Sequence, residues 1–185
     1  MRKLIYAMNL TLDGCCDHTK GEGTDDVLQY HGQLLNEADV LLYGRVTYQL
    51  MVPYWPDLAK SQDDTKETNA FAKSFDAVKQ IVVFSKTLDK VEGSKTRIIR
   101  TGLKEEILKL KQEEGKSIVV GGVDLASQLV QLGLVDEYHF LYQPNIVGEG
   151  RRLWDDVSLP EKLRLKLADS KVLSTGGIAL RYLKT

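Results

Sequence analysis

The stretch IVVGGVDLASQLV, residues 118–130, decides the fold. It begins with a continuous apolar run and continues with apolar residues at the spacing of a helix, namely Val123, Ala126, Leu129 and Val130. The pattern predicts a buried strand that breaks at Gly121-Gly122 and opens directly into a helix. The first N–H groups of a helix are free and lie at the positive end of its dipole, and glycine lets a ligand approach the backbone closely. The glycine pair is therefore predicted to bind a phosphate, with tight packing alone as the alternative.

Apolar strands alternate with helical patterns along the rest of the chain. The predicted strands are residues 4–10, 40–42, 81–84, 98–99, 118–120 and 135–142, and the predicted helices are a first one capped by Thr24, then 45–51, 63–75, 103–114 and 122–132. Residues 52–60, which contain Pro53 and Pro56, are predicted to be a loop, and 63–75 a polar surface helix. Short, uniformly apolar strands between helices indicate a mainly parallel sheet covered on both faces.

The C-terminal part of the chain follows a different pattern. Leu163, Leu165 and Leu167 alternate with charged residues, which is the period of a half-buried strand. The turn sequence 174–177 then leads into residues 178–183, so a closing hairpin is expected, antiparallel at one edge of the sheet. Residues 1–185 are thus predicted to form one α/β domain, a mostly parallel central sheet flanked by helices.

Composition and charge exclude several classes of function. A formal net charge of -1 and a pI near 6.3 do not favour nucleic acid or an anionic membrane as partner. The chain has no apolar run of about 18 residues. Its two cysteines, Cys15 and Cys16, are adjacent, which indicates no ordinary disulfide and a reducing cytoplasm. Consecutive Cys15-Cys16-Asp17-His18 cannot wrap a tetrahedral ion, so no metal is expected.

Three phosphate-binding corners follow predicted strands. They are Gly44-Arg45-Val46-Thr47, Ser85-Lys86-Thr87 and Gly121-Gly122. Ligands of open α/β sheets bind at the carboxyl ends of the strands, so the three corners are expected to share one crevice. Arg45 offers a bidentate fork, Thr47 a hydroxyl, and Ser85 with Lys86 a second donor and cation. Such a set suits a pyrophosphate and one further phosphate.

These motifs together resemble a known family. Gly121-Gly122 with Leu125 and Leu129, followed by Leu134-Val135-Asp136-Glu137, is similar to the reductase domain of bacterial riboflavin biosynthesis, a member of the dihydrofolate reductase-like superfamily. The loop 144–150 (PNIVGEG) resembles the Pro-x-x-x-Gly-x-Gly loop of that domain, and 11–14 (TLDG) its Ser-Leu-Asp-Gly. Gly44-Arg45-x-Thr47 resembles the Gly-Arg-x-Thr of dihydrofolate reductases. The resemblance covers the whole chain with the motifs in the same order.

The resemblance implies an NADPH-dependent reductase that transfers a hydride to a small heterocyclic or carbonyl or imine substrate, as the 5-amino-6-(5-phosphoribosylamino)uracil reductases do. It also implies the residues that bind the cofactor: Gly44, Arg45 and Thr47 at its phosphates, Ser85 and Lys86 near the 2′-phosphate, Gly121, Gly122 and Val123 at the pyrophosphate corner, and the Ala7 backbone at the nicotinamide amide. In these folds the peptide between the paired glycines is often cis.

The proton source is less well defined. Dihydrofolate reductases carry an acidic residue early in their first helix, and the resemblance implies Asp26 for that role. The alternatives are that Asp25 and Asp26 only complement the helix dipole, and that water supplies the proton.

Two other functions remain open from the sequence, a dihydrofolate reductase and a non-catalytic nucleotide-binding protein. A homodimer is expected, because the sheet leaves edges that need covering and the reductase domains that this chain resembles commonly pair.

Overall fold

An eight-stranded sheet with helices packed on both faces forms the body of the molecule. The computed structural model describes residues 1–155, 157–159 and 161–185. Its strands are β1 Leu4–Thr11, β2 Ala38–Gly44, β3 Gln80–Phe84, β4 Thr96–Ile99, β5 Ser117–Val120, β6 Glu137–Gln143, β7 Leu165–Val172 and β8 Ile178–Lys184. Its helices are α1 Asp25–Asn36, α2 Arg45–Met51, α3 Trp55–Ser61, α4 Lys66–Asp76, α5 Leu103–Gln112 and α6 Asp124–Gln131.

The strand order is β4-β3-β2-β5-β1-β6-β8-β7. All neighbours from β4 to β6 are parallel, whereas β8 runs antiparallel to both β6 and β7. The prediction of a mostly parallel sheet with an antiparallel C-terminal hairpin is therefore confirmed. The strand that ends at Gly121 lies between β2 and β1, at the centre of the parallel part.

The side chains of each inner strand alternate between two apolar cores. On one face Tyr6 of β1 packs in a cluster with residues of α5 and α6, such as Leu129. On the other face Ile5 packs in a cluster with residues of α1 and α4, such as Phe75. This double burial explains why the strands have continuous apolar sequences instead of alternating ones.

The structure corrects the predictions for the helices. Thr24 precedes α1, but its hydroxyl donates to Asp26 Oδ1 and makes no bond to the backbone of the helix. The predicted loop 52–60 contains most of α3, with Pro56 in the first turn, where a missing N–H costs nothing. The predicted polar surface helix is α4, which buries Phe71 and Phe75.

The prediction of a half-buried strand near 163–167 is confirmed only in part. Leu163 and Leu165 are partly buried against the core, but Leu163 precedes β7, and every residue of β7 after Leu165 is exposed. The physical reason is position, because β7 is the last strand of the sheet and pairs with β8 alone. Its register also shifts between Leu167 and Asp169.

Candidate functional site

A cleft of about 960 Å³ lies at the carboxyl ends of the parallel strands. Because β3, β2 and β5 are direct neighbours, the turns that follow them lie side by side. Eight of the nine residues predicted to bind the cofactor line this cleft: Gly44, Arg45, Thr47, Ser85, Lys86, Gly121, Gly122 and Val123. The ninth, Ala7, packs against the apolar cluster on the other face of β1, and its neighbour Met8 lines the cleft instead.

The glycine pair keeps the centre of the cleft open. Gly122 has φ +84, and a Cβ at this position would overlap the hydroxyl of Thr47. A Cβ on Gly121 would lie 3.3 Å from Tyr43 Cε1, which is tight. The N-cap of α6 is Val123, whose apolar side chain cannot cap the first N–H groups of the helix. Bare backbone therefore faces the cleft here. The Gly121–Gly122 peptide is trans, contrary to the expectation of a cis bond.

The turn after β3 is shaped by its own side chains. Ser85 Oγ accepts hydrogen bonds from the backbone N–H groups of Thr87 (3.2 Å) and Leu88 (3.0 Å). Arg100, which follows β4, donates to the carbonyl oxygens of Lys86 (3.2 Å) and Leu88 (2.9 Å). The exposed Arg45 donates to Gln49 Oε1 at 2.9 Å. This end of the cleft thus carries three cations: Arg45, Lys86 and Arg100.

The sequence patterns missed the fourth corner of the cleft. Arg100, Thr101 and Gly102 line it between β4 and α5, and Gly102 is the N-cap of α5 with φ +72. The signal was present, since residues 98–99 were predicted as a strand and 103–114 as a helix, and a turn at the carboxyl end of a strand joins them. Because β4 is next to β3, this corner lies beside the Ser85 corner, at the β4 end of the cleft.

A long loop between β1 and α1 closes the other end of the cleft. Its residues Cys16, Asp17 and His18 line the cleft. The buried Cys16 Sγ donates to the Arg151 carbonyl oxygen at 3.2 Å, and burial raises the pKa of this thiol. The thiol is therefore protonated near neutral pH, which does not favour a nucleophile.

A second, smaller cavity continues from this end of the cleft. This side pocket, of about 210 Å³, shares Met8, Cys16, Asp17 and His18 with the cleft. It is further lined by Asn9, Leu10, Thr11, Cys15, Gly21, Glu22, Gly23 and Gln143. It therefore lies over the ends of β1 and β6, under the β1–α1 loop.

The structure places Asp26 away from both cavities, whose lining does not include it. Asp26 Oδ2 accepts hydrogen bonds from Ser174 Oγ (2.9 Å), Thr175 N (3.0 Å) and Thr175 Oγ1 (3.0 Å). Partial burial opposes ionisation, but these bonds and one from Thr24 hold the pKa of Asp26 well below its usual range. The Asp26 carboxylate is thus ionised and hydrogen-bonded to the β7–β8 turn, which does not agree with the role of proton donor predicted for it.

His31 and His139 both have hydrogen-bond partners inside the protein. His31 Nε2 lies 2.6 Å from Asn9 Oδ1, and burial lowers the pKa of His31 to about 4. His139 lies between Tyr30 Oη (2.9 Å) and Glu137 Oε1 (2.8 Å). Both imidazoles belong to a polar network between α1 and the sheet.

Within the described part of the chain, no helix has the length and apolarity to cross a membrane. Nor do these residues include a group of three or more His, Cys, Asp and Glu side chains placed to bind a metal.

Comparison with solved structures identifies the class of fold. A putative riboflavin biosynthesis protein from Shewanella sp. PV-4 superposes with a TM-score of 0.68 at 20% identity, covering 99% of each chain. Dihydrofolate reductase from Enterococcus faecalis, complexed with NADP(H), superposes with a TM-score of 0.64 at 12% identity, covering 99% of this chain and 96% of that one. The chain thus has the dihydrofolate reductase-like fold.

The sequence identifies the family within that class. Residues 2–179 match the family model of the RibD C-terminal domain, and the chain belongs to this family. The protein YyaP of Bacillus subtilis is 30% identical over 185 residues, which cover 98% of this chain and 94% of the relative. The resemblance drawn from the Gly121-Gly122, Gly44-Arg45-x-Thr47 and 144–150 motifs is therefore confirmed.

Proposed function

We propose that the protein is an NADPH-dependent reductase that transfers a hydride to a small heterocyclic or carbonyl or imine substrate. One observation carries this proposal. The phosphate-binding corners that follow β2, β3 and β5 are far apart in the sequence, yet they form one cleft. The family and its solved neighbours support the reaction class, since a neighbour from Thermotoga maritima (TM-score 0.65, 18% identity) is a diaminohydroxyphosphoribosylaminopyrimidine deaminase/5-amino-6-(5-phosphoribosylamino)uracil reductase.

The cleft has the chemistry that a dinucleotide phosphate requires. Gly121 and Gly122 line the cleft and suit a pyrophosphate, because a glycine without a side chain lets a ligand approach the backbone closely. Arg45, Lys86 and Arg100 supply cations for a 2′-phosphate at the end of the cleft near β3 and β4. The nicotinamide then lies at the opposite end, near Met8. When bound, the cofactor supplies the hydride.

The dihydrofolate reductase alternative has less support from this site. The predicted proton donor of such an enzyme is Asp26, but its carboxylate accepts hydrogen bonds from the β7–β8 turn. The non-catalytic alternative keeps the cleft but predicts no turnover. A homodimer and a cytoplasmic location remain predictions.

Cofactor titration and turnover test the proposed function. NADPH fluorescence should show saturable binding, and NADPH oxidation should be detected with at least one member of a panel of pterins, ribosylaminopyrimidines and quinones. Binding without turnover of any compound would favour the non-catalytic alternative. Failure to bind NADPH would contradict the proposal outright.

A further inference from the structure

The side pocket extends the cleft along the carboxyl ends of the strands. The strand ends follow the order β4, β3, β2, β5, β1 and β6, and the cleft runs from Arg100 after β4 to Met8 on β1. The side pocket begins at Met8 and ends at Gln143 on β6. If the cofactor lies with its nicotinamide near Met8, this pocket is the space that adjoins the reacting end.

We propose that the side pocket is the substrate pocket and that it takes an unphosphorylated heterocycle, neutral or cationic, whose carbonyl oxygen or ring nitrogen is bound by Asn9. The proposal rests on the proposed function, because it uses the position assigned to the nicotinamide. It departs from the phosphoribosyl substrate in the name of the Thermotoga maritima neighbour.

The charges of the side pocket carry the first step. The charged residues of its lining are the acidic Asp17 and Glu22, and the lining includes neither lysine nor arginine. Lys20, on the same loop, pairs with Glu149 and does not line the pocket. Arg151 lines the cleft and pairs with Asp124 at 2.7 Å. A phosphate dianion in this pocket would lie beside two acidic residues, with no lysine or arginine in the lining to bind it.

The second step concerns the hydrogen bonds that the pocket offers. Because an amide oxygen only accepts hydrogen bonds, His31 Nε2–H donates to Asn9 Oδ1 at 2.6 Å. This bond fixes the orientation of the Asn9 amide and leaves both hydrogens of its Nδ2 for a ligand. Asn9 lines the pocket and its Nδ2 has no hydrogen-bond partner among the described residues, so it is available to bind a substrate with an acceptor atom.

The third step concerns the wall of the pocket. The Gln143 amide donates to the Glu22 carbonyl oxygen and accepts from the Glu22 N–H, so it fastens the loop over the pocket. The side pocket, of about 210 Å³, is much smaller than the cleft of about 960 Å³ that it adjoins, and this size suits a single heterocyclic ring.

A matched pair of ligands tests the proposal. The protein is first saturated with NADP⁺, which cannot reduce a ligand, and then titrated calorimetrically with 5-amino-6-(ribosylamino)uracil and with its 5-phosphate ester. We expect the unphosphorylated compound to bind at least about fivefold more tightly, because charge repulsion at a partly exposed site is modest. Equal or tighter binding of the ester, or binding of neither compound, would overturn the proposal. Failure of NADP⁺ to bind would instead overturn the proposed function.

Two variants and one control test whether residues of the side pocket cause the preference for the unphosphorylated compound. Glu22→Gln should reduce the preference for the unphosphorylated compound roughly two- to fivefold. Glu114→Gln makes the same charge change at the exposed turn before β5, at the amino ends of the strands, and should leave this preference unchanged. Asn9→Asp keeps an acceptor for His31 but removes the donors, and should weaken both compounds about three- to tenfold. An unchanged preference in Glu22→Gln, or unchanged affinity in a folded Asn9→Asp protein, would contradict the assignment.

Discussion

At the scale of single residues, Gly122 is the position where a side chain is least tolerated in the cleft. Its φ of +84 costs an L-residue about 1–2 kcal/mol, and a Cβ would also overlap Thr47. Gly122→Ala should therefore lower the free energy of unfolding by more than the backbone cost alone and weaken NADPH binding. Urea unfolding and fluorescence titration measure the two effects.

Gly148→Ala is the matched control for Gly122→Ala. Gly148 has a similar φ of +72, but a Cβ there meets nothing within 4 Å. This variant should show only the backbone cost and leave NADPH affinity intact. Equal effects of the two substitutions would contradict the close approach at Gly122.

Arg45 and Lys86 are the residues expected to distinguish NADPH from NADH. The two cofactors differ only by the 2′-phosphate, and a charge-assisted hydrogen bond to it contributes roughly 1.5–3 kcal/mol, or about ten- to a hundredfold in affinity. Replacing both by glutamine should remove most of the preference and leave NADH affinity nearly unchanged. Fluorescence titration at fixed ionic strength measures it. A wild-type protein that binds both cofactors equally would contradict the assignment.

At the scale of elements, Asp26 joins α1 to the β7–β8 turn. Its Oδ2 accepts three hydrogen bonds from Ser174 and Thr175, so Asp26→Asn should lower the free energy of unfolding by about 1–2 kcal/mol. NADPH affinity should not change, because Asp26 does not line the cleft.

Asp25→Asn distinguishes the contribution of this contact to stability from the contribution of the helix dipole. Asp25 occupies the same first turn, and its exposed side chain makes no hydrogen bond or ion pair with the described residues. Thermal unfolding of the two variants gives the comparison. If both lose the same stability, the dipole alone explains the pair of aspartates and the contact with the turn contributes nothing.

Glu137 joins β6 to β1 and β8, and its pairing predicts a pH dependence. Burial by itself would raise the pKa of Glu137, but hydrogen bonds from Arg181, His139 and Lys3 lower it from 4.5 to about 2. A pKa depressed in the folded state contributes stability that is present above pH 4.5 and lost as the pH falls toward 2. The shift corresponds to about 3 kcal/mol.

Glu137→Gln should therefore be less stable than the wild type at pH 7, with a difference that shrinks between pH 4.5 and 2. Urea unfolding at a series of pH values measures the difference. Glu114→Gln, at an exposed site, controls for the loss of one carboxylate. A difference that stays constant down to pH 2 would rule out the pairing as its cause.

At the scale of the whole molecule, β7 leaves a long edge of the sheet exposed. Seven of its eight residues are exposed, including Val172 at 74%. Exposed edges tend to pair with other strands, so we expect a homodimer with about twice the 20.8 kDa mass of the chain. Light scattering at micromolar concentration measures the mass, and a value near 20.8 kDa would refute the dimer. If β7 is the interface, Val172→Glu should shift the equilibrium toward the monomer.

Much of the fold could be predicted because its signals are local. The run 118–120, the glycine pair after it and the helical spacing from Val123 lie within 13 residues, and each reports a backbone preference that neighbours enforce. The same holds for the corners at Gly44 and Ser85, because a parallel sheet aligns its carboxyl ends whatever the strand order. The motifs that resemble the family contain these same residues.

The sequence by itself thus determined most of the elements, the parallel sheet with its hairpin, and eight of the residues that line the cleft. Only the tertiary structure decided that Asp26 contacts the β7–β8 turn, that β7 is exposed, and that Asn9 with Glu22 lines a separate pocket. These outcomes depend on contacts between residues far apart in the chain, such as Asp26 with Thr175, and on which strand is last in the sheet. Local periodicity shows which face of a segment is polar and which is apolar. It does not show which distant segment packs against either face.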